Sequence, residues 1–209
     1  INMDNQTYSD VESYATVKKV NTLNTDIESV EIHKQNLAFP TGTVLQDTPG
    51  IDATFKNHEQ STMKYLLISD IVYYTVEYNH VNAEKNFSQI KMMNELGVPV
   101  VLVINQIDKH DENEIIFAEF KEKVEQNIKM WNLNVEAIYY TTIYTSEHNQ
   151  FDLLKKQLNQ HVNTLNTDRN RFYNRIIDYI ERAQINYLNQ RKDGLLAQLE
   201  VDEADISHA

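Results

Sequence analysis

Two short stretches carry residues whose types and spacing suit chemistry on a phosphorylated ligand. The first is Asp47-Thr48-Pro49-Gly50, the second Asn105-Gln106-Ile107-Asp108. Each follows an apolar run that reads as a strand, and in open parallel sheets ligands bind beyond the carboxyl ends of the strands. Asp47, at a strand end, can hold a magnesium ion directly or through water, because magnesium takes oxygen ligands and keeps several waters. Gly50 has no Cβ, so its backbone N–H can approach a phosphate closely. Asp108 offers two acceptor oxygens. These suit guanine, whose N1–H and exocyclic amine are adjacent donors; adenine presents no such pair. Asn105 can tie loops together and turn its amide toward a base. Each stretch also has a structural reading: Asp-Thr-Pro-Gly is a good turn, and Asn-Gln-Ile-Asp can cap the helix that follows. The two together, with strand and helix between them, favour a nucleotide site.

The elements that must position them follow from periodicity. Residues 29–34 and 43–46 read as strands, 57–69 as a helix and 71–76 as a central strand. Ala83, Phe87, Ile90 and Met93 recur at helical spacing within 81–96, and Gly97 stands where a helix-ending glycine belongs. Residues 98–104 form an unbroken apolar run, the pattern of a strand buried on both faces. Phe117, Phe120, Val124, Ile128 and Trp131 stripe a helix over 114–131. A strand over 135–143 and a helix over 151–165 follow, the latter with Phe151, Leu154, Leu158, Val162 and Leu165 facing inward. This alternation predicts an α/β fold with a mostly parallel sheet flanked by helices. A long C-terminal helical segment comes next. It reads as one helix over 168–190 with Phe172, Ile176, Ile180, Ala183 and Tyr187 on a face, a break at Asp193-Gly194, and a shorter helix from Leu195. The boundary between the two parts falls near Thr167.

Composition narrows the function. The 209 residues are 41% hydrophobic and 24% charged, as in ordinary globular domains. A net charge of −12 argues against a nucleic-acid binder, which needs clustered Lys and Arg, and against unaided docking on an anionic membrane. There is no cysteine, hence no disulfide and no thiolate metal site. The apolar run 98–104 is far too short to span a bilayer. The first residue is Ile1 and the last helix ends without a stop signal, so both ends read as cuts from a longer protein.

With these residues in view, the sequence resembles the second half of a P-loop GTPase. More closely, Leu45-Gln46-Asp47-Thr48-Pro49-Gly50-Ile51-Asp52, Tyr78-Asn79-His80-Val81 and Val103-Ile104-Asn105-Gln106-Ile107-Asp108-Lys109-His110 resemble bacterial dynamin-like proteins. The resemblance runs from about Ser29 to Leu165 and is strongest over 43–110. It implies that Asp47, Thr48 and Gly50 belong to a magnesium and γ-phosphate motif, with Asp52 to Asn57 as a mobile switch. It implies guanine recognition by Asn105 and Asp108, with Gln106 where most GTPases carry Lys, and backbone contact to the base near Thr141 and Thr142. The implied ligands are GTP or GDP with Mg2+. The implied organisation is a partial GTPase domain over 1–167 and a helical linker over 168–209. For the parent protein it implies GTP hydrolysis, self-association through the GTPase domain, membrane remodelling through other regions, and a cytoplasmic, peripherally membrane-associated location.

One departure stands out. The phosphate-binding loop needs a Gly-Lys pair before a helix. The four glycines, Gly42, Gly50, Gly97 and Gly194, are followed by Thr, Ile, Val and Leu. No catalytic residue is identifiable, and the resemblance places that machinery upstream. Hydrolysis by these residues alone is therefore expected to be very poor. Two alternatives stay open: a natural pseudo-GTPase that serves as an interaction module, and a GTPase of another class, such as ribosome assembly. The histidines share no metal-ligand spacing. Of the tyrosine pairs Tyr73-Tyr74 and Tyr139-Tyr140, one member of each is expected in the core. Lys109-His110-Asp111-Glu112 reads as a solvated approach to a helix.

Overall fold

The computed structural model describes residues 2–3, 6–7, 27–29, 39–48, 65–164 and 169–207. The chain divides into two compact units, Ile1–Pro40 and Thr41–Ala209. In the first, β1 (Asn2–Met3) pairs antiparallel with both β2 (Gln6–Thr7) and β3 (Ile27–Ser29). This last strand shares only Ser29 with the one expected over 29–34, and residues 30–34 lie outside the described residues.

The second unit is built on three parallel strands in the order β4 (Val72–Glu77), β5 (Val100–Asn105) and β6 (Ala137–Thr141). Helix α1 (Glu84–Glu95) connects β4 to β5, and α2 (Phe117–Met130) connects β5 to β6. Parallel neighbours require such crossovers. Helices α3 (Phe151–Thr164) and α4 (Arg169–Ser207) follow. The expected fold class is the observed one: a parallel sheet flanked by helices with a long C-terminal helix, consistent with an α/β P-loop GTPase-like fold.

The core forms where the apolar runs require it. Val100 to Ile104 are each at most 4% exposed, because β5 has a strand on either side and helices flank the sheet. From α1, Phe87, Ile90 and Met93 are buried; from α2, Phe117, Phe120, Val124 and Ile128 are buried, which is the stripe expected from the sequence. Trp131 is half-buried against the Phe87 ring, 5.7 Å between centroids. Helix α1 ends at Gly97, whose φ of +69° is the left-handed conformation that glycine adopts at little cost. At β6 one tyrosine of the pair, Tyr140, is buried and Tyr139 is half-buried, whereas on β4 both Tyr73 and Tyr74 are half-buried.

Three local expectations need correction. Residues 43–46 form no strand: Val44 and Leu45 are 82% and 62% exposed, and no strand among the described residues pairs with them. Alternating apolar residues make a strand only when a neighbouring backbone accepts the ladder. Phe151 does not face inward; it is 42% exposed, and Leu154, Leu158 and Val162 are only half-buried. Helix α4 runs without a break through Asp193-Gly194. Beyond Ile176 its expected stripe is open to solvent, with Ile180 59% and Tyr187 55% exposed. A Gly in a helix interior costs about 1 kcal/mol relative to Ala but does not by itself stop a helix. A Cβ at Gly194 would meet nothing within 4 Å. Gly194→Ala is therefore expected to stabilise α4 locally by about 1 kcal/mol, read as slower amide exchange around residue 194. Unchanged or faster exchange there would contradict the helical assignment.

Candidate functional site

The parallel register sets the site. Glu77 pairs with Asn105 and Asn105 with Thr141, so the last residues of the three strands stand in one row at the carboxyl edge. Each strand then delivers a loop: Tyr78–His80 after β4, Ile107–Lys109 after β5, and residues 142–150 after β6.

The loop after β5 turns sharply. Gln106 has φ +65° and ψ 38°, a left-handed conformation that a non-glycine residue holds only when its surroundings enforce it. Ile107, 2% exposed, is the anchor that follows. The turn lifts Asp108 to the surface, while the Gln106 Oε1 is buried with no hydrogen-bond partner among the described residues.

The loop after β6 locks onto this turn. The Thr141 hydroxyl donates to Asn105 Oδ1 at 3.2 Å, and the Thr142 hydroxyl donates to Asp108 Oδ1. One carboxylate oxygen of Asp108 is thereby held. Asn105 accepts through its oxygen, so its amide nitrogen is the group that can face a base. Thr141 and Thr142 are 3% and 2% exposed. Asn149 closes the loop: its Oδ1 accepts from the Thr142 and Phe151 N–H groups, and its amide donates to the Thr142 and Tyr144 carbonyls. The Gln150 side-chain Oε1 accepts from the Tyr140 N–H and the Gln150 N–H donates to the Tyr140 C=O, on the side of β6 that pairs with no strand among the described residues.

Of the residues expected at the site, the structure brings Asn105, Gln106, Asp108 and Thr142 together. Asp47 and Thr48 are exposed in an extended segment, and no hydrogen bond or ion pair among the described residues links them to the Asn105–Asp108 loop. Gly50 and Asp52 lie outside the described residues.

The charge run after Asp108 also departs from expectation. His110 is not solvated; its side chain is 4% exposed. Its Nδ1 lies 2.7 Å from the Tyr78 hydroxyl. Its ring meets Tyr78 and Phe117 edge-on, at 5.6 and 5.0 Å between centroids. Glu112 Oε1 sits 3.0 Å from His148 Nε2, and His148 stacks flat on Phe117 at 3.9 Å. The hydrogen bond from His148 holds the Glu112 carboxyl below its ordinary range; that from the Asn113 backbone does the same for Asp111. Burial, then the charges of Glu114 and Glu112, raise the Tyr78 hydroxyl. Glu77 faces Lys109 and His80 at 3.6 Å each. Ligand atoms of Glu112, Glu147 and His148 lie within 4.8 Å of one another, but both carboxylates are exposed and the imidazole already bonds to one, so an ion-paired surface cluster accounts for them. Sequence reading missed Tyr78, His110, His148 and Asn149 as site-building residues. Asn149 had a signal, an Asn just ahead of a helix; Tyr78 and His110 lay in the stretches that carry the family resemblance but without a role, and His148 had no signal without the sheet register.

These loops group at the carboxyl edge of a parallel sheet, in a fold consistent with the α/β P-loop GTPase-like class. Comparisons with known proteins agree in kind. Over 136 residues, 64% of this chain, it is 36% identical to Dynamin-like protein A of Bacillus subtilis. Over 124 residues, 56% of the chain, it is 28% identical to GTPase Der of Campylobacter jejuni. The matched regions make up 11% and 26% of those proteins, so the chain spans only a small part of each. No protein-family model matches the chain, and no solved structure does. Among the described residues, no helix is long and apolar enough to cross a membrane.

Proposed function

We propose that this chain is part of a dynamin-like GTPase and recognises guanine nucleotides through Asn105, Gln106, Asp108 and Thr142. The observation that carries this is the pair of bonds from Thr141 to Asn105 and from Thr142 to Asp108. They hold an amide and a carboxylate in neighbouring positions on the loop after β5. Asp108 then accepts from the N1–H and amine of guanine. The Gln106 stem covers a ring face, more weakly than a longer side chain. The dynamin-like and GTPase relatives support the same reading.

Asp47, Thr48 and Gly50 would serve magnesium and the γ-phosphate, Asp47 through water. Residues 1–167 would form a partial GTPase domain and 168–209 a helical linker. Self-association, membrane remodelling and a cytoplasmic, membrane-peripheral location of the parent protein are the further parts of this proposal. Phosphoryl transfer depends on positioning and charge neutralisation. No glycine here is followed by Lys, so these residues by themselves should bind phosphates weakly and hydrolyse GTP very slowly. The second reading kept open is a pseudo-GTPase interaction module with the fold but no nucleotide.

Titration of the chain with GDP and a non-hydrolysable GTP analogue, both with magnesium and with ATP as control, separates the two. Amide shifts read by NMR are expected at residues 105–108 and 141–142, with millimolar affinity, about −4 kcal/mol, and none with ATP. Equal response to ATP, or none to any nucleotide, would sink the guanine reading.

A further inference from the structure

We infer that His110 is the positioning residue of the base-recognition loop, fixing Asp108 through a relay that joins all three loops at the carboxyl edge of the sheet. The inference rests on the guanine reading above and deepens it. The relay starts after β4 at the Tyr78 hydroxyl, 2.7 Å from His110 Nδ1. On the other side of the ring, Nε2 lies 3.4 Å from Glu112 Oε1, at ion-pair distance but buried without a hydrogen-bond partner among the described residues, and that same Glu112 oxygen lies 3.0 Å from His148 Nε2, from the loop after β6.

An imidazole suits this place because it offers two in-plane polar atoms on opposite sides of one small ring. In the tautomer with the ring proton on Nε2, the side nearer the carboxylate, Nδ1 accepts from the Tyr78 O–H. His110 ends the short turn that carries Asp108; its N–H donates to the Ile107 carbonyl at 3.0 Å. The turn is thus pinned at its start by buried Ile107 and at its end by buried His110. Between these anchors stand the left-handed Gln106 and the exposed Asp108, whose carboxylate direction depends on the turn keeping its shape. A Phe at residue 110 would fill the same space between Tyr78, Phe117 and Phe120 but would join nothing.

The test uses the whole chain and two variants that retain the rings, Tyr78→Phe and His110→Phe. Inosine diphosphate lacks the exocyclic amine of guanine, so it engages one carboxylate oxygen where GDP engages two. The ratio of GDP to inosine diphosphate affinity therefore reads the aim of Asp108, which general loss of stability would not change. Both variants are expected to lower that ratio several-fold. They should also speed amide exchange at residues 107–110 about tenfold, the effect of losing one buried hydrogen bond, while exchange at 100–104 stays as it was. An unchanged ratio with unchanged exchange in folded variants overturns the inference. If the unaltered chain binds neither nucleotide, the guanine reading fails, and the exchange data alone decide whether His110 positions the turn. If His110→Phe does not fold, Tyr78→Phe gives the same two readouts.

Discussion

Asp108→Asn is expected to abolish the response to GDP and to create one to xanthosine diphosphate. In the folded chain Asp108 has one oxygen held by Thr142 and is otherwise exposed. Guanine presents two donors, N1–H and the amine, and a carboxylate accepts both. An Asn side chain keeps one acceptor and replaces the other with a donor, which then confronts the guanine amine. Xanthine carries a carbonyl at that position and accepts what Asn donates. Loss of a charge-assisted pair, with a donor left facing a donor, costs about 3 kcal/mol, or about 100-fold in affinity. Against a millimolar starting point, GDP binding disappears from an NMR titration that saturates the unaltered chain. The Thr142 hydroxyl can still donate to the Asn oxygen, so the fold should be unaffected. An Asp108→Asn chain that binds GDP as before would show that this carboxylate does not read the base.

The largest expected effect on stability lies at the other end of the sheet. Arg175 of α4 is 6% exposed. Its guanidinium donates to the carbonyls of Leu67, Ser69 and Gly97, at 3.2, 2.7 and 3.1 Å. Leu67 belongs to the helical turn at 65–68, and Gly97 follows the end of α1. Terminal carbonyls of helices lack intrahelical partners and carry partial negative charge, so one cation caps two helix ends and ties α4 to both. A second tie is Arg182 to the Glu95 carbonyl at 2.6 Å. The planar five-donor guanidinium can reach three acceptors at once, which an ammonium on a Lys stem matches poorly. Arg175→Met keeps the apolar stem and strands the carbonyls. The expected loss is about 2–4 kcal/mol, seen as a lower urea midpoint in the fluorescence of Trp131, the one tryptophan of the chain. Arg175→Lys should recover only part of it. A Met variant as stable as the parent would mean that α4 is held by its apolar contacts, Phe172 and Ile176, and not by the clamp.

Much of the architecture is legible in the sequence. Strand β5 could be read because a strand covered on both faces has no polar position to spare, so its apolar run is continuous. Helix α2 could be read because one buried stripe at helical spacing leaves the opposite face polar. Gly97 marked a helix end because few other residues adopt its backbone angles cheaply. The stripe of α3 and α4 was read too generously. Apolar spacing shows that a helix has a face, but not that anything covers it, and Phe151, Ile180 and Tyr187 remain exposed.

The sequence by itself determined the order of the strands and helices of the second unit, and placed Asn105 and Asp108 at a strand end, because these follow from local periodicity and from the polar residues that terminate it. Only the tertiary structure decided that Thr142 meets Asp108 across 34 residues, that His110 is buried between Tyr78 and Glu112, and that residues 43–46 find no ladder. Those outcomes depend on parallel register, set when α1 and α2 pack across the sheet and align Glu77, Asn105 and Thr141 in one row. A pattern along the chain records which side chains seek burial; it does not record which polar group from a distant loop will stand beside them.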